Sequence, residues 1–198
     1  MSIFHIHKFK KAKEKWAIGH EVTTGKTNPY HDGLKDNCLS FTDADSGQII
    51  TFDDFFRYIA QQQSKDVIGL VTAIRAKAIE NYKRELLFEK VRSETFTQLP
   101  SRLKCLYASD SLESISGWLK YVHDNSRCHP SAQVSYEIVE LSPLTNTKIF
   151  RTQDAAVWEC EKLSGIELID RAASYWNASC GGREELLLEG RFRVIDVI

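Results

Sequence analysis

The sequence predicts a single α+β domain over residues 1–198, with mainly antiparallel strands in two small packed sheets and flanking helices. Three observations support this fold class. Segments of strand character lie near both ends of the chain, and long stretches between them have helical periodicity. Strands and helices do not alternate regularly, which favours antiparallel over parallel pairing. A chain of 198 residues is also long enough to bury a substantial core.

The first 53 residues predict one strand, one helical turn and a long connection. Apolar residues alternate with histidine and lysine from Ile3 to Phe9, which is typical of a half-buried strand. Lys10 to Lys15 predicts a solvated helical turn whose lysine stems lie along apolar surface, with a phosphate-binding segment as the alternative. Residues 19–53 are rich in Gly, Asn, Asp and Thr and predict an irregular connection.

The middle of the chain predicts two helices. Phe55, Phe56 and Ile59 indicate a first, short helix. Apolar residues recur at three- and four-residue steps from Val67 to Val91 and indicate a second, long helix. Pro100 ends this region, because proline disfavours helical backbone in the residue that precedes it.

The second half predicts short strands between further helices. Leu103 to Ala108 predicts a buried strand, and Asp110 or Ser111 supplies the side-chain oxygen that caps the helix after it. The later elements are a strand over 134–141, a short strand over 148–150, and helical segments within 154–176 that are interrupted at 164–165.

The last eighteen residues predict a β-hairpin. Three consecutive apolar residues, from Leu186 to Leu188, indicate a strand that is covered on both faces. Gly190 supplies the turn, and the apolar residues after it predict the return strand. Glu184 and Glu185 stand at the start of the covered strand, behind a glycine-rich loop that we expect to be flexible. Carboxylates in such a place suggest a catalytic group.

Composition excludes several classes of protein. The formal net charge of -1 argues against a polybasic nucleic-acid binder, although it allows a local basic patch. Five scattered cysteines without C-x-x-C spacing predict free thiols in a reducing compartment. The N-terminus lacks the apolar region of a signal peptide, and no apolar run reaches the roughly 18 residues of a membrane span. We therefore expect a cytoplasmic protein.

Common cofactor and metal motifs are also missing from the sequence. Histidine and cysteine spacings do not match a zinc site, so we predict no metal. Neither a G-x-x-x-x-G-K-[ST] loop nor a dinucleotide-binding glycine fingerprint occurs. No pairing of cysteine with histidine indicates a thiol nucleophile.

Three short features follow one another in a fixed order: IFHI around His5, LYAS around Tyr107 before a helix, and EELLLEGRFRV from Glu184. In order and in local sequence they resemble the ADP-ribosyltransferase superfamily, in the branch whose motif is histidine, tyrosine, glutamate. The arginine-class branch fits less well, because Arg183 stands where its first glutamate would lie. Through its LPSRLKC and YW…EG features, the chain also resembles a family of uncharacterised bacterial proteins.

The resemblance implies an ADP-ribosyltransferase-like domain that uses NAD as a substrate, with Glu185 as the catalytic residue. A carboxylate there would hydrogen-bond a ribose hydroxyl and stabilise the positive charge that develops as nicotinamide leaves. Glu184 is the rival by one position, which in a strand means the opposite face. The alternative is that both glutamates are surface charges at the end of a strand.

Three further residues receive cofactor-binding roles from the same resemblance. His5 would hydrogen-bond a ribose of NAD, or else be a half-buried histidine paired with backbone. Tyr107 would stack on the nicotinamide ring, or else be a tyrosine of the core. Arg102 would bind the pyrophosphate, or else form a structural ion pair with a helix glutamate such as Glu89.

The expected function is mono-ADP-ribosylation of a macromolecule: RNA, DNA or protein. The resemblance further suggests the toxin of a bacterial toxin–antitoxin or anti-phage system, with an antitoxin protein as a partner and no contact with a membrane. Two alternatives keep the α+β domain without the chemistry. One is an inactive module that binds nucleic acid or a protein, and the other is an adaptor domain in which the three features coincide by accident.

Overall fold

The computed structural model describes residues 2–9, 11–26, 28, 32, 40–42, 49–51, 54, 57, 65–126, 135–158, 160, 163 and 165–198. The strands of these residues are β1 (Phe4–Phe9), β2 (Glu21–Thr23), β3 (Ser40–Thr42), β4 (Ile49–Thr51), β5 (Leu106–Ala108), β6 (Ser135–Pro143), β7 (Lys148–Gln153), β8 (Glu184–Glu189) and β9 (Arg191–Val197). The helices are α1 (Lys65–Thr95), α2 (Leu112–Ser126), α3 (Ala155–Trp158) and α4 (Gly165–Trp176), with a 3-10 turn over Ala12–Glu14.

The strands form two main sheets and one small hairpin. The first sheet has the order β1-β6-β9-β2 and the second the order β5-β8-β7, while β3 pairs with β4 alone. All of these pairings are antiparallel. The predicted α+β class, with antiparallel strands in two packed sheets and flanking helices, is therefore confirmed.

Two apolar cores lie on opposite faces of the second sheet. The core between the two sheets contains the following buried side chains: Ile3, Val22, Ala108, Val139, Leu141, Leu186, Leu188, Phe192 and Val194. On the other face, α1 and α4 cover the sheet with a core that contains Phe88, Val91, Cys105, Ala172, Tyr175, Trp176 and Leu187. Helix α2 covers the outer face of the first sheet, where Ile115 packs on Phe4 and Ile138.

Strand β8 lies between these two cores, as its three consecutive leucines predict. Leu186 and Leu188 point into the core between the sheets, and Leu187 points towards the helices. All three side chains are fully buried. Full burial of a leucine contributes roughly 1.5–3 kcal/mol relative to exposure, so this strand holds both layers of the fold together.

The predicted closing hairpin is wrong, because β8 and β9 belong to different sheets. The chain crosses from one sheet to the other at Gly190, whose φ of 127° lies in a region that side chains disfavour. β9 alternates buried and exposed residues, since only one of its faces meets the core. The crossing follows from the burial of the two strands. Both faces of β8 are packed against apolar cores, whereas only one face of β9 is.

Residues 19–53 also differ from expectation. Instead of an irregular connection throughout, this region contributes β2 to the first sheet and the β3–β4 hairpin. The strand predicted from Leu103 begins only at Leu106, because the amides of Lys104 and Cys105 turn back to the carbonyl of Ser101. The helix predicted at residues 55–59 falls mostly outside the described residues.

The remaining predicted elements are confirmed. The long helix is α1, and the capped helix is α2, where Ser111 Oγ accepts a hydrogen bond from the amide of Ser114 at 3.2 Å. The strands predicted over 134–141 and 148–150 are β6 and β7, and the helical segments within 154–176 are α3 and α4. No helix in the described part of the chain is long and apolar enough to cross a bilayer.

Replacing Gly190 with alanine tests the sheet crossing. A Cβ there would lie 2.8 Å from the carbonyl oxygen of Asn146 and 2.8 Å from Cα of Thr147, at a φ that alanine rarely adopts. We expect Gly190→Ala to lower the free energy of unfolding by at least about 2 kcal/mol. Gly117→Ala is the control, because that site lies in α2 with nothing within 4 Å. It should stabilise by about 0.5–1 kcal/mol. Urea unfolding measures both, and equal effects would contradict the account.

Candidate functional site

The three strands that carry the sequence features adjoin one another. β5 pairs with β8 along its length, with Tyr107 opposite Leu187. On its other side β5 meets β1 through two backbone hydrogen bonds between Phe4 and Ser109, at 2.7 and 2.9 Å. The histidine, tyrosine and glutamate features are thus neighbours in space, in the order β1, β5, β8.

Arg102, Tyr107 and Glu185 come together on the helix-covered face of the second sheet. Arg102 Nη1 donates a hydrogen bond to Glu185 Oε2 at 2.9 Å. Cζ of Arg102 lies 5.1 Å from the centre of the Tyr107 ring, and the Tyr107 hydroxyl donates to the Arg102 carbonyl at 3.3 Å. Arg102 and Glu185 are only 2% and 4% exposed, so both lie inside the protein.

Two residues that the sequence analysis did not assign complete this buried cluster. Arg102 Nε donates to Glu85 Oε2 at 2.8 Å, and its Nη2 donates to Glu85 Oε1 at 3.2 Å. The Tyr175 hydroxyl accepts from Arg102 Nη1 and donates to Glu185 Oε2 at 2.5 Å. We name Glu85, Arg102, Tyr175 and Glu185 the buried ion cluster. It ties α1, the turn before β5, α4 and β8 together.

The buried ion cluster pairs one guanidinium with two carboxylates, and the buried Arg84, 3.3 Å from Glu85 Oε1, supplies a second positive charge. Burial by itself would lower the pKa of the Arg102 guanidinium, but the carboxylates of Glu85 and Glu185 outweigh it and raise that pKa well above its usual value. Burial also raises the pKa of the Tyr175 hydroxyl, which therefore stays protonated and donates to Glu185. Arg102 forms a structural ion pair with a helix glutamate, which is the alternative to binding pyrophosphate. The glutamate is Glu85 and not Glu89. Glu85 lies about one helical turn earlier in α1.

His5 lies on the other face, between the two sheets. It follows Ile3 on the inner side of β1, and its ring stacks on Trp16 with 5.5 Å between the centres. Its Nδ1 is 2.8 Å from the Tyr107 carbonyl oxygen. Burial lowers the pKa of His5 to about 4, the hydrogen bond offsets part of this shift, and nearby His7 adds to it. The imidazole is therefore neutral at pH 7, with Nδ1 as the donor and a lone pair on Nε2.

Glu184 shares that inner face, since it alternates with Leu186 and Leu188 along β8. Its Oε2 is 2.5 Å from Arg151 Nη1, which is also 2.5 Å from Asp110 Oδ2. We name Asp110, Arg151 and Glu184 the rim cluster. The Glu184 side chain is 30% exposed, against 5% for Glu185.

The rim cluster contains two carboxyl groups whose pKa values move apart. Burial and the neighbouring Asp110 raise the pKa of Glu184. Hydrogen bonding with Glu184 and Arg151 lowers the pKa of Asp110. Glu184 Oε1 is buried, and no hydrogen-bond donor reaches it among the described residues. Divergent pKa values in paired carboxyl groups are frequent in sites of acid–base chemistry.

The loop before Glu184 is held in place. The amide of Arg183 donates to Asp154 Oδ1 at 2.8 Å, and the amide of Asp154 donates to the Arg183 carbonyl at 2.9 Å. Gly182 has a φ of 109°, and a Cβ there would lie 2.6 Å from the amide nitrogen of Ala155. These contacts position the end of the loop next to Glu184, while the flexibility that we expect from its glycines stays a prediction.

The structure thus brings together three of the four residues proposed from sequence and leaves the fourth on the opposite face. Arg102, Tyr107 and Glu185 share the helix side of the second sheet, while His5 shares the inner side with Glu184. Among the described residues, no group of three or more His, Cys, Asp or Glu side chains is arranged to hold a metal ion.

The chain belongs to the family described as "Protein of unknown function (DUF2441)", which matches residues 3–198. The resemblance to a family of uncharacterised proteins is thereby confirmed. No curated protein matches the chain.

Glutamine substitutions separate the buried ion cluster from the rim cluster. Glu185→Gln leaves Arg102 with one carboxylate fewer at a buried position, and we expect the free energy of unfolding to fall by about 2–4 kcal/mol. Glu184→Gln is the matched control, because its exposed ion pair contributes at most about 1 kcal/mol. Urea unfolding at pH 7 compares the two variants. A loss at Glu184 as large as that at Glu185 would contradict the assignment of the buried role to Glu185.

The depressed pKa of His5 predicts that stability is lost in mild acid. The unfolded chain takes up a proton on this residue near pH 6.5, whereas the folded chain does so only near pH 4. The free energy of unfolding therefore falls as the pH drops from about 6.5 to about 4, by up to about 3 kcal/mol. His5→Gln should remove this part of the pH dependence. Urea unfolding between these pH values tests it, and identical pH profiles for both proteins would refute it.

Proposed function

We propose that this protein is an NAD-dependent mono-ADP-ribosyltransferase and that Glu184 is its catalytic carboxylate. The observation that carries the proposal is the adjacency of β1, β5 and β8, the strands with the histidine, tyrosine and glutamate features. The three segments meet, but their side chains do not converge on one cleft, because His5 lies between the sheets whereas Tyr107 and Glu185 face the helices.

Accessibility to a substrate favours Glu184 over Glu185, although the resemblance implies Glu185. Glu185 is buried and already binds Arg102 and Tyr175, so a ribose hydroxyl would have to displace both. The Glu184 side chain is 30% exposed and lies on the same side of the sheet as His5, although its Oε1 is buried. Glu184 can therefore accept a hydrogen bond from a substrate without dismantling the core.

The chemistry proposed for the rim cluster is the cleavage of a glycosidic bond. The bond between nicotinamide and ribose breaks, nicotinamide leaves with the electron pair, and positive charge develops on the ribose. The Glu184 carboxylate hydrogen-bonds a ribose hydroxyl and stabilises that charge. A nucleophile of the acceptor then attacks the anomeric carbon and loses its proton.

Neighbouring residues prepare Glu184 for this role. Arg151 fixes the orientation of the carboxylate through its contact at 2.5 Å, and Asp110 takes part in the same pair. Neutral His5 offers the Nε2 lone pair to a ribose hydroxyl, as its proposed cofactor-binding role requires. The side chains of Tyr107 and Arg102 lie on the other side of the second sheet, where they face the helices and pack beneath the strands that carry the site.

The proposed biological setting is that of a cytoplasmic toxin in a bacterial toxin–antitoxin or anti-phage system, with RNA, DNA or protein as the acceptor and an antitoxin protein as a partner. The resemblance suggests this setting. Toxicity on expression that disappears with Glu184→Gln would support it.

A second function is favoured by the burial of Glu185: an inactive module of the same fold that binds nucleic acid or a protein. If Glu185 is the glutamate that matches the ADP-ribosyltransferase motif, its ion pair with Arg102 leaves it unable to contact a ribose. This module would show no turnover of NAD.

Release of nicotinamide from NAD separates these proposals. The wild type, incubated with labelled NAD and cell extract, should release nicotinamide and label a macromolecule. Glu184→Gln should reduce the rate by at least about 100-fold, since it removes the charge that stabilises the transition state. Glu185→Gln should retain activity at temperatures where it is folded.

The opposite outcomes are equally informative. Loss of activity in folded Glu185→Gln, with activity kept in Glu184→Gln, would return the catalytic role to Glu185. Absence of NAD turnover by the folded wild type with extract would reject the enzyme and leave the binding module.

A further inference from the structure

We propose that residues 11–20, together with the rings of His7 and Phe9, are a docking surface for single-stranded nucleic acid, which makes such a strand the acceptor of the proposed enzyme. The acceptor role rests on the proposed function, whereas binding by this surface does not. Two features carry the inference: a row of exposed lysines, and a stack of aromatic and imidazole rings beside it.

The lysine row is a local positive field on a chain whose formal net charge is -1. Its exposed members beside the rings are Lys11, Lys13 and Lys15, whereas Lys8 points to the opposite face of the first sheet, on the side of Phe4 and Ile6. Glu14 lies between them and keeps its negative charge, and its Oε2 accepts a hydrogen bond from the amide of Lys11 at 3.3 Å. Lys15 contacts the buried Glu137 at 3.2 Å, yet its side chain remains 53% exposed. Such a row matches the charge of a phosphate backbone.

The ring stack lies next to the lysines. The rings of Trp16 and His7 are 4.0 Å apart between centres, with their planes within 14° of parallel. The His20 ring is 5.7 Å from Trp16 at 20°, and Phe9 is 5.8 Å from His7 at 20°. His20 is exposed, so a base that stacks on it becomes the next ring of the series. Surfaces that combine cations with stacking rings are typical of single-strand binding.

The stack is also fixed by its own hydrogen bonds. His7 Nε2 lies 2.8 Å from the Glu14 carbonyl oxygen, and the Trp16 amide donates to Glu137 Oε1 at 3.2 Å. These contacts tie the lysine-bearing turn to the first sheet. The surface therefore exists before a ligand arrives, and a bound strand does not have to order it.

Single strands suit this surface better than a duplex or a membrane. Duplex bases are stacked on each other and offer no free face to His20. A membrane-binding segment needs an amphipathic helix with a broad apolar face. Here the helical turn spans only Ala12–Glu14, and the large exposed apolar side chain nearby is Ile18. The chemistry accordingly favours bases and phosphates over lipids.

The surface lies within reach of the rim cluster. Phe4 of β1 pairs with Ser109, directly before Asp110, and β1 then runs from there to the lysine row. At ~3.3 Å per residue, His7 is roughly 10 Å further along the strand than Phe4. A strand with ~3.4 Å between stacked nucleotides spans this distance in a few nucleotides.

Fluorescence anisotropy without NAD tests the docking surface, using labelled single-stranded DNA and RNA of about 20 nucleotides and a duplex of equal length. We expect the wild type to bind both single strands more tightly than the duplex. The combined variant Lys11→Gln, Lys13→Gln and Lys15→Gln should bind more weakly and lower the slope of log K against log salt by about 2, at ~0.7 per lost phosphate contact. His20→Ala should weaken binding about five-fold or more by removing the stacking ring.

The matched control is the combined variant Lys83→Gln, Lys90→Gln and Lys120→Gln, which makes the same change in net charge at exposed sites on α1 and α2. It should bind like the wild type, and circular dichroism should show that all variants are folded. Equal losses in both triple variants, preference for the duplex, or binding to phosphatidylserine vesicles but not to oligonucleotides would overturn the proposal. NAD turnover without oligonucleotide binding would reject this surface alone, and the reverse would reject only the proposed enzyme.

Discussion

The structure depends on the burial of β8 from both sides. Three consecutive leucines demand cover on two faces, and the fold supplies the first sheet on one side and α1 with α4 on the other. Because successive side chains of a strand point in opposite directions, the same alternation divides the two glutamates that begin the strand. Glu185 enters the helix-covered core and Glu184 remains at the rim. The candidate site is therefore a consequence of how the core is built.

The buried ion cluster is the polar counterpart of that apolar constraint. A carboxylate on the helix side of β8 is costly to bury alone, and Arg102 compensates it with further support from Tyr175. The same guanidinium binds Glu85 of α1 through two nitrogens. The cluster thereby fixes the positions of four elements relative to one another: α1, the turn before β5, α4 and β8. Glu184 is 30% exposed and pairs with Arg151 at the rim, so it needs no buried counter-charge.

The candidate site and the proposed docking surface use the two ends of β1. Near Phe4 the strand meets β5 and the rim cluster, while its far end leads into the lysine row and the ring stack. His5 lies between them, neutral at pH 7 and bound to the backbone of β5. The proposed transfer of ADP-ribose from NAD to a nucleic acid requires one place for each substrate, and the proposed places lie along this shared strand.

Much of this protein was determined by local sequence. The periodicity of α1, the cap of α2 at Ser111 and the double cover of Leu186 to Leu188 each follow from side chains within a few positions of one another. The three features around His5, Tyr107 and Glu184 were likewise visible in order. Only the tertiary structure decided that Gly190 is a crossing between sheets, because a turn signal does not say which strand accepts the hydrogen bonds. Only the tertiary structure shows that Arg102 binds Glu85 and Glu185, because contacts between residues far apart in sequence cannot be read from local spacing. Which of Glu184 and Glu185 is buried belongs with these, because the two differ in which layer each one faces.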